Sequence, residues 1–365
     1  MTISGALYLK KDDFLLDVDF SIPSTGVTAI FGPSGSGKTT MLRAISGLEK
    51  DTTGHLRVGN SVWQDDKTFL PPHKRPLGYV FQEASLFGHL SVQKNLEFGH
   101  RRTPPEARRV RFDDAVRLLG LEELLDRQPS ELSGGERQRA AIAQALLAGP
   151  ELLLMDEPLA ALDQRRKGNI LPYLEALHEE LEIPVFYVSH SIDEVTRLAD
   201  YIVVLNGGRV AACGPIQEIM TRLDLFPLTG RFEAGALVEG KVCGHDEADS
   251  LTEVEFDGGR LWMSKIDADL GTPVRLRVRA RDVLLSLSEP EFISANNVLA
   301  GTVTELRSDD GGHVDVLVAC GVTLLLARIT HRSRARLNIE PGRQVFVIVK
   351  SVNLGRQGSP GRREK

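Results

Sequence analysis

Cysteine is scarce in this chain, and its copies lie far apart. Cys213, Cys243 and Cys320 are the only three among 365 residues, and none has a partner at the C-x-x-C spacing. An odd number of distant cysteines does not suit a disulfide framework or a zinc site. We therefore expect free thiols in a reducing compartment.

Long apolar segments are missing as well. No run of 18 apolar residues occurs, and the first residues show no charged leader followed by an apolar stretch. We therefore expect a chain that is neither secreted nor membrane-spanning, so that any role at a membrane requires a partner subunit.

An excess of positive charge is also missing. Lys and Arg number 44 against 50 Asp and Glu, and the formal net charge of −6 argues against a nucleic-acid-binding surface. With 42% hydrophobic and 26% charged residues, the composition is that of an ordinary globular protein. The length indicates two or three domains.

What the chain does contain is a glycine-rich turn between an apolar run and a helical pattern. Residues 27–31 are apolar or β-branched, and residues 32–39 match G-x-x-x-x-G-K-T. In this context backbone N–H groups and the helix N-terminus face the phosphates of a nucleotide. Lys38 adds a point charge, and the Thr39 hydroxyl is placed to bind Mg²⁺. The predicted triphosphate-binding residues of this turn are Gly32, Pro33, Ser34, Gly35, Ser36, Gly37, Lys38, Thr39 and Thr40.

Three further apolar runs end in polar residues, as strands of a parallel sheet do where they meet a ligand. Asp156 is placed to hold Mg²⁺ through water. Glu157 is placed to polarise the water that attacks the γ-phosphate, a general-base task worth about 10²–10⁴-fold in rate. Gln82 and His190 occupy the tips of the other two runs, and we expect them beside the phosphate.

A second glycine pair opens a long helix that runs through Leu147. Ser133 is a good N-cap, and Glu136 stands three residues later, as in a capping box. Gly134 and Gly135 at this helix start also make a backbone anion nest, which is a second phosphate-binding device in one chain. Between the two devices, residues 83–131 predict a mostly helical insertion whose charges form a solvated face.

With these pieces in order, the chain resembles the ATP-binding subunit of ABC transporters. The matching residues are the Walker A run at 32–40, Gln82 as the Q-loop and the LSGGE signature at 132–136. Walker B follows at 152–157, the D-loop at 161–163 and the switch histidine at His190.

The resemblance implies a head-to-tail homodimer that holds ATP and Mg²⁺ between Walker A of one copy and the signature of the other. It adds Asp163, Ser133, Gly134, Gly135 and Glu136 to the ATP site and Gln82 to the Mg²⁺ ligands. Phe14 and Tyr8 are the candidates for the aromatic that stacks on adenine. Further implied partners are membrane-spanning permease subunits and, indirectly, a periplasmic binding protein, with the chain at the cytoplasmic face of the inner membrane.

Beyond residue 230 the pattern changes to short strands with a weak internal duplication. Residues 237–242 parallel 298–303, residues 252–262 parallel 313–325, and residues 274–278 parallel 345–349. This spacing suits two small barrels of the oligonucleotide/oligosaccharide-binding type. Unrelated strands that merely alternate are the other interpretation.

Residues 294–354 also resemble the molybdate-binding Mop module, which carries an arginine where this chain has Asn296. Hydroxyls, amides and one lysine are suitable donors for a dianion such as molybdate or tungstate. The predicted oxyanion residues are Ser294, Asn296, Asn297, Lys350 and Ser351. A module that only extends the dimer interface is an equally weighted alternative.

We therefore predict an α/β P-loop ABC ATPase domain over residues 1–230, with a helical subdomain at about 83–150. An all-β part follows, with a first OB-like unit at 231–290, a Mop-like unit at 291–354 and a disordered tail at 355–365. The predicted function is ATP hydrolysis that powers molybdate import. The competing functions are an importer ATPase for sulfate, ferric iron or a sugar, a soluble ABC ATPase, and an oxyanion sensor or store.

Overall fold

The computed structural model describes residues 2–160, 162–180, 183–229, 234–309, 311–350 and 352–357. The chain divides into two compact units, Met1–Pro215 and Ile216–Lys365. No helix in these described ranges is both long and apolar enough to cross a membrane.

The first unit combines one large sheet with helices. Its strands are β1 (Thr2–Lys11), β2 (Phe14–Pro23), β3 (Val27–Phe31), β4 (Thr53–Val58), β5 (Ser61–Gln64), β6 (Leu77–Val80), β7 (Leu152–Asp156), β8 (Val185–Val188), β9 (Tyr201–Asn206) and β10 (Arg209–Pro215). Its helices are α1 (Lys38–Ser46), α2 (Val92–His100), α3 (Phe112–Leu118), α4 (Gly134–Leu147), α5 (Gln164–Glu180) and α6 (Ile192–Leu198).

The described strands of this unit form a sheet in the order β5-β4-β1-β2-β10-β9-β3-β8-β7-β6. Strands β9, β3, β8, β7 and β6 run parallel to one another, so their carboxyl ends meet at one edge of the sheet. Every residue of β3, β7 and β8 is buried, which explains their continuous apolar runs. Strands β1 and β2 pair antiparallel along their whole length, and β9 and β10 form a second antiparallel pair at the end of the unit.

The predicted helical insertion is also confirmed. Helices α2 and α3 lie between β6 and α4, and the Ser91 hydroxyl caps α2 by accepting from the Lys94 N–H at 3.4 Å. The buried Asn95 side chain holds the preceding loop, since it accepts from Phe87 N at 2.7 Å and donates to Phe87 O at 3.1 Å. The loop after β6 is thereby joined to α2.

The second unit consists mainly of strands. Its helices are α7 (Ile216–Thr221), α8 (Phe226–Thr229) and α9 (His331–Leu337). Its strands are β11 (Gly235–Asp246), β12 (Leu251–Phe256), β13 (Gly259–Ser264), β14 (Pro273–Arg279), β15 (Val283–Ser286), β16 (Asn297–Ser308), β17 (His313–Cys320), β18 (Thr323–Thr330), β19 (Gln344–Val349) and β20 (Asn353–Gln357).

Two sheets of the described residues repeat one strand order, as the internal duplication predicts. The first is β13-β12-β11-β14-β20 and the second is β18-β17-β16-β19-β15. Their apolar faces share one core, in which Val254 and Leu276 of the first sheet lie in the same cluster as Val316 and Val347 of the second. This all-β architecture confirms the predicted fold class of the C-terminal part.

The fifth strand of each sheet differs from the prediction. Strand β15, assigned by sequence to the first unit of the duplication, pairs with β19 of the second sheet. Strand β20 pairs with β14 of the first sheet, so residues 355–357, predicted to belong to a disordered tail, are part of a strand instead. Leu285 and Leu354 pack against the shared core and hold the exchanged strands there. Residues 358–365 lie outside the described residues.

Candidate nucleotide-binding site

The loop between β3 and α1 needs glycine at its last position. Gly37 has φ of +100°, a conformation that side chains disfavour, and a Cβ atom there would lie 2.7 Å from the Phe14 ring. The buried Lys38 side chain follows, and its Nζ donates to Gly32 O and Pro33 O, each at 3.0 Å. The loop therefore wraps around the lysine ammonium and brings its backbone N–H groups to the start of α1.

A cleft of about 480 Å³ opens at this loop. A volume of that size accommodates a small-molecule ligand. It is lined by Phe14, Ser34, Gly35, Gly37, Lys38, Thr39, Thr40 and Glu157. Of the two aromatic candidates for adenine stacking, Phe14 lines the cleft, whereas Tyr8 is 46% exposed and is not among its lining residues.

Asp156 is joined to the loop by hydroxyl groups. Thr39 Oγ1 donates to Asp156 Oδ1 at 2.9 Å, and Tyr79 OH donates to Asp156 Oδ2 at 3.2 Å. Asp156 is only 7% exposed, and burial raises the pKa of its carboxyl group against the opposing effect of these two hydrogen bonds. Burial and the nearby carboxylate likewise raise the pKa of Tyr79, so its phenol stays protonated as a donor.

The donor set at Asp156 fits a hard divalent cation. Within the described residues, this carboxylate is hydrogen-bonded to hydroxyl groups and forms no ion pair. Carboxylate and hydroxyl oxygens are the ligands that Mg²⁺ prefers, together with phosphate oxygens and water. Thr39 and Asp156, whose oxygens are 2.9 Å apart, are thus suited to hold Mg²⁺ from one side.

Glu157 extends from the strand end in an unusual backbone conformation. Its φ is +44°, which is uncommon for a residue with a side chain and costs about 1–3 kcal/mol. Its N–H donates to Val188 O at 3.1 Å, and its Oε2 lies 3.2 Å from His190 Nδ1. The strained turn places the carboxylate on the cleft wall and next to the imidazole, a pairing that suits proton transfer at the γ-phosphate.

The electrostatics of Lys38 follow from its surroundings. Burial lowers the pKa of its ammonium group, while the carboxylates of Glu157 and Asp156 act in the opposite direction. The two carboxylates that act on the lysine ammonium are thus the residues at the end of β7. A triphosphate would add further negative charge at the same point.

In a single copy of the chain, Gln82 and the predicted signature residues lie outside this cleft. Gln82 follows β6 at the same edge of the sheet but is exposed and is not among the lining residues of the cleft. None of Ser133, Gly134, Gly135 and Glu136 lines it either.

The signature segment and the D-loop residue instead form helix starts. Ser133 Oγ accepts from Glu136 N at 3.3 Å and Ser133 N donates to Glu136 Oε2 at 2.7 Å, so the predicted capping box is confirmed. The exposed Asp163 accepts from Arg166 N at 2.9 Å at the start of α5. Ala161 of the D-loop is outside the described residues.

The described members of the predicted oxyanion set lie near one end of β16 and β19. Asn297 of β16 is paired with Val349 of β19. Asn296 and Lys350 are the sequence neighbours of these two residues. The Asn297 amide is engaged with main-chain groups of another strand, since Oδ1 accepts from Trp262 N at 2.6 Å and Nδ2 donates to Trp262 O at 3.0 Å. Ser294, Asn296 and Lys350 are exposed. Ser351 is outside the described residues.

A larger cleft of the second unit contains none of these predicted residues. Its volume is about 530 Å³, and it lies between β15, β18 and α9. Arg281, His313, Ser333 and Arg336 line it together with several leucines. Charged residues in a sequence usually form a solvated surface, so the sequence contains no local pattern that would predict this cleft.

Tyr79, whose hydroxyl group donates to Asp156, is a residue that the sequence prediction missed. It lies within the short apolar run of β6, where a tyrosine is ordinarily a packing residue. Its proximity to Asp156 arises only because β6 and β7 pair in parallel, with Tyr79 opposite Leu154. A predicted parallel pairing of β6 and β7 could have indicated this contact, because alternate residues of neighbouring strands lie on the same face of a sheet.

Comparisons with known proteins agree with this geometry. A family model described as ABC transporter matches residues 15–160, and a model described as TOBE domain matches residues 293–354. The solved structure of cbiO1 from Clostridium perfringens, described as part of the ABC transporter complex cbiONQ, is 29% identical. It superposes with a TM-score of 0.53 over 62% of this chain and 92% of that chain.

Relatives of known name match nearly the whole length. The molybdenum import ATP-binding protein ModC of Aromatoleum aromaticum is 55% identical over 93% of this chain and 91% of the relative. The ModC protein of Pseudomonas fluorescens is 53% identical over 96% of this chain and 99% of the relative. Such identity over both units, with a nucleotide-site geometry of the P-loop kind, assigns the chain to the ABC transporter ATP-binding proteins, in the family of the molybdenum import ATP-binding proteins.

Proposed function

We propose that this chain hydrolyses ATP to power the import of molybdate, with tungstate as a chemically similar cargo. The observation that carries the ATPase part is the cleft lined by Lys38, Thr39 and Glu157, together with the hydrogen bond that joins Thr39 to Asp156. The identity of 55% to a molybdenum import ATP-binding protein over 93% of the chain supports the cargo.

The residues of the cleft divide the chemistry between them. The backbone N–H groups of residues 34–39 and the Lys38 ammonium bind and orient the phosphates. Thr39 and Asp156 would hold Mg²⁺, which when bound neutralises charge on the β- and γ-phosphate oxygens. Glu157 accepts the proton of the attacking water, and His190 at 3.2 Å orients that carboxylate and shares its proton.

We further propose that two copies of the chain complete one site. In a single copy the signature residues Ser133–Glu136 do not line the cleft, although they present an anion nest at the start of α4. A second copy facing the first would bring its signature and its Asp163 against the γ-phosphate. Gln82, exposed after β6, would meet the nucleotide in that closed state.

In this proposal the chain is a peripheral subunit at the cytoplasmic face of the inner membrane. ATP-driven closure of the dimer is passed to membrane-spanning permease subunits through Gln82 and the helical insertion that follows it. A periplasmic molybdate-binding protein would deliver the cargo to the outer side of the permease.

The Glu157→Gln variant tests the hydrolytic role. We expect it to bind ATP as the parent does but to hydrolyse it about 10²-fold more slowly or worse, because the amide cannot take a proton. ATP turnover and nucleotide-dependent dimerisation are measured side by side. Glu151→Gln is the matched control, since Glu151 precedes the other end of β7. Turnover near that of the parent would remove Glu157 as the general base.

Uptake measurements test the cargo. Cells that carry the chain with its permease should accumulate molybdate, and Lys38→Ala should abolish the uptake. Sulfate competition at a large excess should leave molybdate uptake unchanged. Uptake of sulfate, ferric iron or a sugar in place of molybdate would instead favour the competing importers.

A second candidate function is oxyanion sensing by the C-terminal unit. The pairing of Asn297 with Val349 supports it, because this register brings Asn296 and Lys350 to one strand end with Ser294 nearby in sequence. An exposed ammonium, amide and hydroxyl provide donors for a dianion. Molybdate bound there would restrain transport when the cytosol is replete.

Calorimetric titration of the full chain with molybdate tests this role. We expect binding heat with molybdate that Lys350→Ala reduces at least tenfold in affinity, since the ammonium charge is lost. Lys265→Ala, an exposed lysine of the same unit, is the control and should bind as the parent does. Heat no greater than that of sulfate would leave the unit with a structural role only.

A further inference from the structure

A buried glutamate contacts the residues that flank His190 and has no part in the mechanism given above. Glu194, in the first turn of α6, is only 4% exposed. An ionised carboxylate at such depth costs several kcal/mol unless it is paired and hydrogen-bonded. Its surroundings therefore require an explanation.

Three donors from three segments surround Glu194. Lys167 Nζ of α5 lies 2.8 Å from Oε1, and its side chain is 15% exposed. Ser189 Oγ and Tyr187 OH donate to Oε2 at 2.7 and 2.9 Å. Burial raises the pKa of Tyr187, which keeps its phenol protonated as a donor. The carboxylate is thus paired and fully hydrogen-bonded.

The same residue fixes the main chain on both sides of His190. Ser189, which precedes the histidine, donates to the Glu194 carboxylate, and its Oγ also accepts from Ser191 N at 3.0 Å. Ser191, which follows the histidine, accepts through its Oγ from Glu194 N at 3.4 Å. His190 itself lies between these two serines in sequence, is half-exposed, and contacts Glu157 through its imidazole.

Lys167 carries the connection to the D-loop residue. Its main-chain N–H donates to Asp163 O at 2.9 Å in the first turn of α5, while its ammonium binds Glu194. One lysine therefore joins the residue expected to face the partner copy with the carboxylate that holds the His190 loop. A shift of the α5 start would be passed to that loop through two charged groups in direct contact.

We propose that Glu194 is a positioning residue for ATP hydrolysis: it fixes the loop that carries His190 and links that loop, through Lys167, to the helix that begins after Asp163. The inference rests on the proposed function, because it assumes that His190 serves hydrolysis. It assigns to Glu194 an effect on the chemical step and none on nucleotide affinity, since residues 32–40 make no contact with this cluster in the described hydrogen bonds.

A double-mutant cycle between Glu194→Gln and His190→Ala tests the proposal. Glu194→Gln alone should lower kcat for ATP about tenfold, with KM within twofold of the parent, because a slightly displaced group loses catalytic efficiency steeply. In the His190→Ala background the same substitution should have no further effect on kcat. Additive losses in the cycle would overturn the positioning role and leave a merely structural cluster.

Hydrogen exchange provides the readout that a general loss of stability would not reproduce. In Glu194→Gln, amides of residues 189–192 should exchange faster, while those of β7 stay as protected as in the parent. Equal changes in both segments would contradict the proposal. If Glu194→Gln does not fold, Ser189→Ala removes the tie to the loop, leaves the contact with Lys167 intact and should give the same two results.

The outcome for Glu157→Gln separates this inference from the function on which it rests. Loss of hydrolysis in Glu157→Gln together with additive effects of Glu194→Gln and His190→Ala would reject the positioning role alone. Unchanged hydrolysis in Glu157→Gln and in His190→Ala would reject both.

Discussion

At the scale of single residues, the negative charge of Asp156 lowers the stability of the fold, whereas the proposed function needs that charge to hold Mg²⁺. Its buried carboxylate accepts hydrogen bonds from Thr39 and Tyr79, and burial raises its pKa. The folded state therefore binds a proton at Asp156 more tightly than the unfolded chain does. This contribution to stability is fully present at low pH and is lost as the pH rises through the raised pKa.

Asp156→Asn is expected to stabilise the metal-free protein. At pH 8 its unfolding midpoint should rise by about 2 °C, roughly what 1 kcal/mol is worth in a unit of this size, because the neutral amide avoids the burial of a charge. The gain should shrink as the pH is lowered toward the pKa of Asp156. The variant should also lose the stabilisation that Mg²⁺ and ATP together give the parent.

Thermal unfolding between pH 5 and pH 8, with and without Mg²⁺ and ATP, measures both effects. Asp66→Asn, at an exposed loop position, is the control and should follow the parent at every pH. A midpoint for Asp156→Asn below that of the parent at pH 8 would contradict the stated cost of burying this charge.

At the scale of elements, the end of α1 depends on one buried arginine. Arg75, only 4% exposed, donates to Ala44 O at 3.3 Å, to Ile45 O and to Leu70 O at 2.7 Å, and its guanidinium lies 5.1 Å from the Phe69 ring centroid. Burial lowers its pKa to about 10, so it remains charged at neutral pH. The cation thus binds the carbonyl end of the helix whose other end forms the nucleotide loop, where the helix dipole favours it.

Arg75→Met is expected to lower the free energy of unfolding by about 2–4 kcal/mol, because the carbonyl groups of Ala44, Ile45 and Leu70 lose the hydrogen bonds of the guanidinium. Arg75→Lys should recover only part of this loss, since an ammonium cannot reproduce the planar fork of donors. Denaturant unfolding measures both. Arg57→Met, at an exposed position of β4, should change stability by less than about 0.5 kcal/mol, and an equal loss there would reject the capping role.

These elements also show how far sequence could predict the site. Sequence alone could predict the loop at 32–40, Asp156, Glu157 and His190 as candidates, because each motif lies within a few neighbouring residues and follows a buried strand. Tyr79 stands 77 residues from Asp156, and Arg75 stands 31 residues from Ala44, so their contacts depend on the folded packing. Glu194 was missed for another reason, since its role is carried by hydroxyl groups that have no characteristic spacing.

At the scale of the whole molecule, the second unit is held together by exchanged strands. Strands β15 and β20 each complete a sheet made mostly of the other half of the duplication. Asn297, 3% exposed, adds two hydrogen bonds from β16 of the second sheet to Trp262 in β13 of the first. We therefore expect this unit to unfold as one cooperative body.

Asn297→Ala is expected to lower the unfolding free energy of both sheets by about 1–2 kcal/mol, because the main chain of Trp262 loses both its partners. Hydrogen exchange should show equal loss of protection in β12 and β17. The exposed neighbour provides a matched control, and Asn296→Ala should leave both sheets unchanged. Loss of protection confined to one sheet would show that the sheets open independently.

The exchange of strands also bears on synthesis at the ribosome. Strands β11 to β14 leave the ribosome well before β20. The outer edge of β14 is covered only when residues 353–357 have left the exit tunnel. Until then that edge offers unpaired backbone groups to any other extended segment. A translation product that ends before residue 353 would therefore expose an unpaired edge strand, which chaperones and proteases recognise. The sheet of the first unit, by contrast, is complete once residue 215 has been made.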